Sequence, residues 1–91
     1  MLVLVQIDLS GADVEIFDAY EASVLALLTN HGARLEERVR AMSGATETHL
    51  LYFPDEHALD AFRNDPARAA LQEMWVGSGA VSSMTEVIRL V

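Results

Sequence analysis

The chain has 91 residues, enough for one domain whose fold buries roughly 60–65% of the surface its unfolded form exposes, so its core is thin. Its 14 Asp and Glu against 6 Lys and Arg give a formal charge of −8, which disfavours binding to nucleic-acid phosphates or to an anionic membrane surface. It has no cysteine, which excludes disulfides, thiolate metal sites and a cysteine nucleophile, and fits a cytoplasmic setting.

Residues 2–9 read as a strand that is apolar on both parities. Leu2 and Leu4 point one way, and Val3, Val5, Ile7 and Leu9 the other, as in a strand covered on both faces. The run has no basic leader and no small-residue cleavage site, so it is not a signal peptide, and it is too short to span a bilayer. Residues 13–31 predict a long helix, with Val14, Phe17, Val24, Leu27, Leu28 and His31 near helical spacing and Tyr20 and Glu21 between them. Ser10 or Asp13 caps its start, and Gly32 is placed as the left-handed residue that ends it. His31 then lies where a cation suits the helix dipole.

Residues 33–40 read as a half-buried edge strand. Arg34, Glu36, Arg38 and Arg40 lie on one side, and Ala33, Leu35 and Val39 on the other, with Glu37 breaking the alternation. Ala41-Met42-Ser43-Gly44 suits a hairpin loop. Residues 45–53 form a third strand, bulky on both faces through Leu50, Leu51, Tyr52 and Phe53, and Pro54 ends it. Asp55 caps a short helix over 56–63. Asp65 and Pro66 break the chain and restart it as a helix over 66–76, closed by Gly77-Ser78-Gly79. Residues 80–91 read as the last strand.

The order β-α-β-β-α-β matches the ferredoxin-like α+β arrangement in a single domain over 1–91. Right-handed crossovers put strands one and three at the centre of a four-stranded antiparallel sheet. Both helical regions then lie on one face. The other face would offer leucine, valine and aromatic side chains to water, a patch of several hundred Å² that soluble monomers rarely carry. At about 25 cal/mol per Å² its cover is worth many kcal/mol, and the simplest cover is the same face of a second copy. The sequence therefore predicts a homodimer joined through the open sheet face.

The stretches Phe17-Asp18-Ala19-Tyr20, Asn30-His31-Gly32-Ala33-Arg34-Leu35, Leu50-Leu51-Tyr52-Phe53-Pro54-Asp55 and Ala61-Phe62-Arg63-Asn64-Asp65-Pro66 resemble a bacterial family of small proteins of unknown function. That family lies in the dimeric α+β barrel superfamily, beside the antibiotic-biosynthesis-monooxygenase-like and muconolactone-isomerase-like proteins. The resemblance covers nearly the whole chain, through an aromatic pair in helix one, a helix-ending glycine, a strand ending in Phe-Pro and an Asp-Pro break. It implies a two-subunit barrel with small-molecule pockets. Several members are cofactor-independent oxygenases, isomerases or cyclases, and others bind haem. The segment between strands two and three is shorter here than in many relatives, which removes a loop that can carry polar site residues.

His49, on a central strand and on the same parity as Glu47, is the candidate catalytic base; a hydrogen-bonded, inert histidine at the dimer seam or strand edge is the other reading. Tyr20 and Trp75 are candidate substrate-binding residues, as aromatic walls of a pocket between helices and sheet, or else ordinary core. Gln6 and Asp8 are the polar pair on an apolar strand; they face a polar pocket or pair across the sheet, because burial without a partner costs a few kcal/mol. Arg38, Arg40 and Glu37 reach an anionic ligand or form a solvated edge. His57 and Asp60 lie on a surface helix. No histidine pair or His-carboxylate group has metal-ligand spacing, and no cofactor signature is present. Other uses of this fold lack their residues: the central strands have no basic and stacking set for RNA, there is no Cys-x-x-Cys loop, and Ser10-Gly11-Ala12 offers no arginine to a phosphate. Two functions stay open, a cofactor-independent enzyme of oxygenase, isomerase or cyclase type on a small organic metabolite, and a non-catalytic small-molecule-binding or interaction module. A cavity of ≳300 Å³ bearing His49 or Asp8 favours the first, and one filled by side chains the second.

Overall fold

Side-chain parity along the two central strands decides where everything else lies. In the computed structural model, which describes residues 1–91, β1 (Leu2–Asp8) and β3 (Thr46–Tyr52) pair antiparallel with Val5 opposite His49 and Val3 opposite Leu51. Odd-numbered residues of both strands therefore share one face. That face is closed by α1 (Val14–Leu25), α2 (Glu56–Arg63), α3 (Pro66–Ala69) and α4 (Gln72–Ser78). The edges are β2 (Arg34–Arg40) beside β3 and β4 (Val81–Val87) beside β1, giving the order β2-β3-β1-β4. The ferredoxin-like fold and its central strands are as the sequence predicts.

The core fills the layer between sheet and helices. Val3, Tyr20, Val24, Leu28, Leu51, Phe53, Leu59 and Phe62 form its larger part, and Ile7, Leu9, Phe17 and Ala80 a smaller one. Trp75 packs against both. Asp13, Asp55 and Asp65 cap α1, α2 and α3 by accepting from Ile16, Ala58 and Ala67 backbone N–H groups.

Four predicted boundaries change. The helix expected over 13–31 ends as an α-helix at Leu25, and Leu28–His31 follows as a 3₁₀ turn. Bonds from Leu27 N–H to Val24 and from Asn30 N–H to Leu27 tighten the winding there, which brings Leu28 into the core. Gly32 does end it in the left-handed conformation, at φ 66°. The helix expected over 66–76 is two, α3 and α4, and Gly77 and Ser78 lie inside α4 while Gly79 turns left-handed. The last strand stops at Val87, because β1 offers no partner beyond Leu2, and Ile88, Leu90 and Val91 lie exposed.

The fourth change concerns β2. A bulge between Leu35 and Glu37 adds one residue, and one extra residue moves every later side chain to the other face. Arg38 and Arg40 consequently share the helix-covered face with Leu35, opposite His49 and Glu47, while Arg34, Glu37 and Val39 lie on the outer face. The regular alternation read from the sequence fails at Glu36.

The outer sheet face has two zones. Leu2, Leu4, Leu50, Tyr52 and Val87 make an apolar zone at one end. Gln6, Asp8, Thr46, Thr48 and Ser83 make a polar zone at the other. The face is thus apolar at one end and mixed at the other, where Val39 and Val81 lie exposed beside the polar residues. No helix is long and apolar enough to cross a membrane.

Candidate active site

Glu47 is an acidic residue on a central strand whose parity sends it inward, and it is only 2% exposed. An isolated carboxylate could not stay charged there. The bulged edge strand supplies the remedy. Arg38 Nε donates to Glu47 Oε2 at 2.9 Å, and Arg40 Nε donates to Oε1 at 2.7 Å. Asp18 of α1 closes the network by accepting from Arg40 and lying 3.5 Å from Arg38. Burial works to raise the Glu47 pKa, but hydrogen bonds from His49, Arg38 and Arg40 outweigh it and hold the carboxyl below its ordinary value. Arg38 and Arg40, read as reaching an anionic ligand or forming a solvated edge, are instead the counter-charges of a buried carboxylate.

His49 is also 2% exposed, and its Nε2 lies 2.6 Å from Glu47 Oε2. An ionised carboxylate only accepts hydrogen bonds, so Nε2 carries the proton. Burial lowers the His49 pKa, the Glu47 hydrogen bond partly offsets this, and Arg38 and Arg40 add to the lowering. The ring is therefore neutral near pH 7, with a bare Nδ1. A neutral imidazole oriented by a buried carboxylate through its other nitrogen is the arrangement of a general base. His49 does not sit at an outer seam or strand edge.

Nδ1 of His49 faces Glu21 Oε2 at 3.9 Å, too far for a hydrogen bond. Glu21 lies on α1 and is 5% exposed. No protein group hydrogen-bonds its carboxyl. Burial pushes its pKa up to about 7, with Arg38 pulling down and Glu47 pushing up. Sequence reading missed this residue as a site candidate because an acidic helical position reads as solvated. The signal was present: Glu21 is four residues after Phe17 and three before Val24, inside the buried stripe Phe17, Tyr20, Val24 and Leu28.

Both groups border a cavity of about 130 Å³ between the helices and the sheet. Val5, Val24, Leu51 and Met84 are among its apolar walls; Tyr20, Trp75, Arg68 and Gln72 also line it. The rings of Tyr20 and Trp75 tilt together at 5.1 Å between centroids. Arg68 brings a cation to the wall, and its Nε is buried without a hydrogen-bond partner. The volume is below the usual range of about 300–1,000 Å³ for ligand sites, and close to the roughly 150 Å³ that accepts benzene. An apolar chamber with a few convergent polar groups of shifted pKa is the usual form of a small-molecule site.

The structure thus brings His49, Tyr20 and Trp75 together, with Glu47 behind His49. It does not bring Gln6 and Asp8 to them. Those two lie on the opposite sheet face, on an open hollow of about 520 Å³ with Thr46, Thr48 and Ser83, so the expected volume above 300 Å³ occurs at Asp8 and not at His49. Asp8 accepts from the backbone N–H and the hydroxyl of Ser10, at 2.9 and 2.7 Å, and these bonds lower its pKa. It is a turn-forming residue in this chain. His31 pairs with Asp65 at 2.7 Å, tying the 3₁₀ turn to the break before α3. His57 and Asp60 are exposed.

No protein-family model and no curated protein sequence matches the chain. Solved structures do. An uncharacterised NIPSNAP domain protein from Burkholderia xenovorans superposes with a TM-score of 0.64 at 19% identity, covering 100% of this chain and 98% of the other. A dimeric ferredoxin-like protein of unknown function from Jannaschia gives 0.65 at 18% identity, with 96% and 100% covered. An antibiotic biosynthesis monooxygenase gives 0.65 at 11% identity, with 98% and 100% covered. At these identities the likeness is one of fold, the ferredoxin-like arrangement expected from the sequence.

Proposed function

We propose that the chain is a cofactor-independent enzyme that moves protons on a small organic metabolite, with His49 as general base, Glu47 as its orienting carboxylate, and Tyr20 and Trp75 as substrate-contacting walls. One observation carries the reading: the 2.6 Å contact between His49 Nε2 and an arginine-held Glu47 leaves Nδ1 unprotonated beside the cavity. Burying a neutral base, a carboxylate and two arginines under a helix layer has a desolvation cost that an apolar core avoids. A catalytic role accounts for that expense. The cavity admits a substrate of about benzene size.

The size of the cavity is also the one observation that favours the second reading, a non-catalytic module binding a small ligand. Exchange of the α-protons of cyclohexanone into D2O, followed by NMR, separates the two. The enzyme reading expects exchange above the buffer rate, lowered about 100-fold or more by His49→Gln. A rate that His49→Gln leaves unchanged overturns the assignment of His49.

In its working form the chain is a homodimer in a cytoplasmic setting. The half-buried apolar zone of Leu2, Leu4, Leu50, Tyr52 and Val87 supports the homodimer, as does the description of one structural neighbour as dimeric.

A further inference from the structure

Glu21 is the group that the His49–Glu47 pair leaves unexplained. Its side chain is buried on α1 and lines the same cavity, and no protein group hydrogen-bonds its carboxyl. A buried carboxyl without a partner is costly unless it is neutral or is used. Its Oε2 lies 3.9 Å from the bare Nδ1 of His49. Charged groups surround the pair from each packed element. Arg68 of α3 and Arg38 of β2 favour the carboxylate form of Glu21, and Glu47 of β3 and Asp18 of its own helix oppose it. With burial added, Glu21 gives up its proton only around pH 7, so up to that pH a protonated acid lies beside a neutral base. Neither the structural neighbours nor the reading of His49 as base assigns a role to this acid.

We infer that Glu21 is the proton donor of the site, giving its carboxyl proton to the carbonyl oxygen of a bound small ketone while His49 Nδ1 takes a proton from the adjacent carbon. The reaction class is then a keto–enol tautomerisation, and the inference rests on the reading of His49 as general base. The step balances without a co-reactant. The α C–H bond breaks and its electron pair becomes the enol C=C bond. The carbonyl π pair takes the Glu21 proton. The products are a neutral enol, an imidazolium at His49 and a carboxylate at Glu21. A small side-chain rotation across the 3.9 Å gap lets the imidazolium return its proton to Glu21, which restores the resting site. Substrate and product are both neutral, as the apolar walls of Val5, Val24 and Leu51 require. Arg68 lines the same cavity with a buried, unpartnered Nε, a donor for the oxygen as charge develops on it.

The first test needs no substrate. The His49 ring carbon Cε1 is followed by NMR from pH 4 to 9 in the wild type and in Glu21→Gln. The inference expects a step near pH 7, where the shared proton leaves the Glu21–His49 pair, and its loss in Glu21→Gln with only a lower-pH step remaining. Identical curves overturn it. Should Glu21→Gln fail to fold, the Glu21 Cδ titration is read in the wild type and in His49→Gln. A midpoint that moves supports the coupling, and a midpoint that stays refutes it. The second test is cyclohexanone exchange. Glu21→Gln should lose about 100-fold, and Glu21→Asp should recover part of that loss. Full activity in Glu21→Gln with loss in His49→Gln removes the acid and keeps the base. Loss of neither removes both.

Discussion

Glu21 and Glu47 are two glutamates buried between the helices and the sheet, and their surroundings send them opposite ways. Glu47 is met by two arginines and a histidine and stays charged. Glu21 is met by no hydrogen-bond donor, and its pKa rises to about 7 from 4.5. The folded state therefore binds a proton at Glu21 that the unfolded chain has released. Below pH 4.5 both states are protonated and nothing is lost. Stability falls as pH rises from about 4.5 to 7, and above 7 the full cost of the buried charge is present. At about 1.4 kcal/mol per unit this is about 3 kcal/mol. Glu21→Gln should thus match the wild type at pH 4 and exceed it by about 3 kcal/mol at pH 8, in urea unfolding at the two values. An equal gap at both would contradict the account of Glu21. At this scale the sequence was half legible. The shared parity of Glu47 and His49 follows from strand geometry alone. The partners of Glu47 did not, because the bulge at Glu36 reverses which arginines face inward.

At the scale of elements, the punctuation residues carried most of the information. Asp55, Asp65, Pro66 and Gly32 mark helix ends where they were expected. What remained illegible were events set by packing: the 3₁₀ rewinding that buries Leu28, the split between α3 and α4, and the end of β4 where β1 runs out. Glycine shows the same division. Gly44 and Gly79 both have positive φ, 78° and 74°. A Cβ at Gly44 meets open space, whereas one at Gly79 comes 2.9 Å from the Gly11 carbonyl oxygen. Gly44→Ala should cost about 1–2 kcal/mol for the left-handed conformation alone. Gly79→Ala should cost more, because the loop before α1 must also give way, and thermal unfolding of the two variants would rank them. A Gly79→Ala variant as stable as Gly44→Ala would refute the close approach between that loop and the end of α4.

For the whole molecule, the topology and the central pair of strands were legible because Leu2–Val5 and Leu50–Phe53 are apolar on both parities, as central strands are. The extent of the apolar outer face was not. Gln6 and Asp8 make one end of it mixed, and a proposed homodimer would bury Leu4 and Leu50 directly, with the mixed end at its margin. Light scattering after size exclusion should give twice the chain mass at micromolar concentration, and Leu50→Lys should give the monomer. A wild-type monomer would contradict the dimer while leaving the cavity, which one chain builds, untouched. The claim on which the chemistry turns is that the fold holds a bare imidazole nitrogen of His49 toward that cavity. Long-range 1H–15N correlation of the histidine rings at pH 7.5 reads this directly: a His49 ring protonated on Nε2 and bare on Nδ1 is the predicted result, and a proton on Nδ1 is the one that would contradict it.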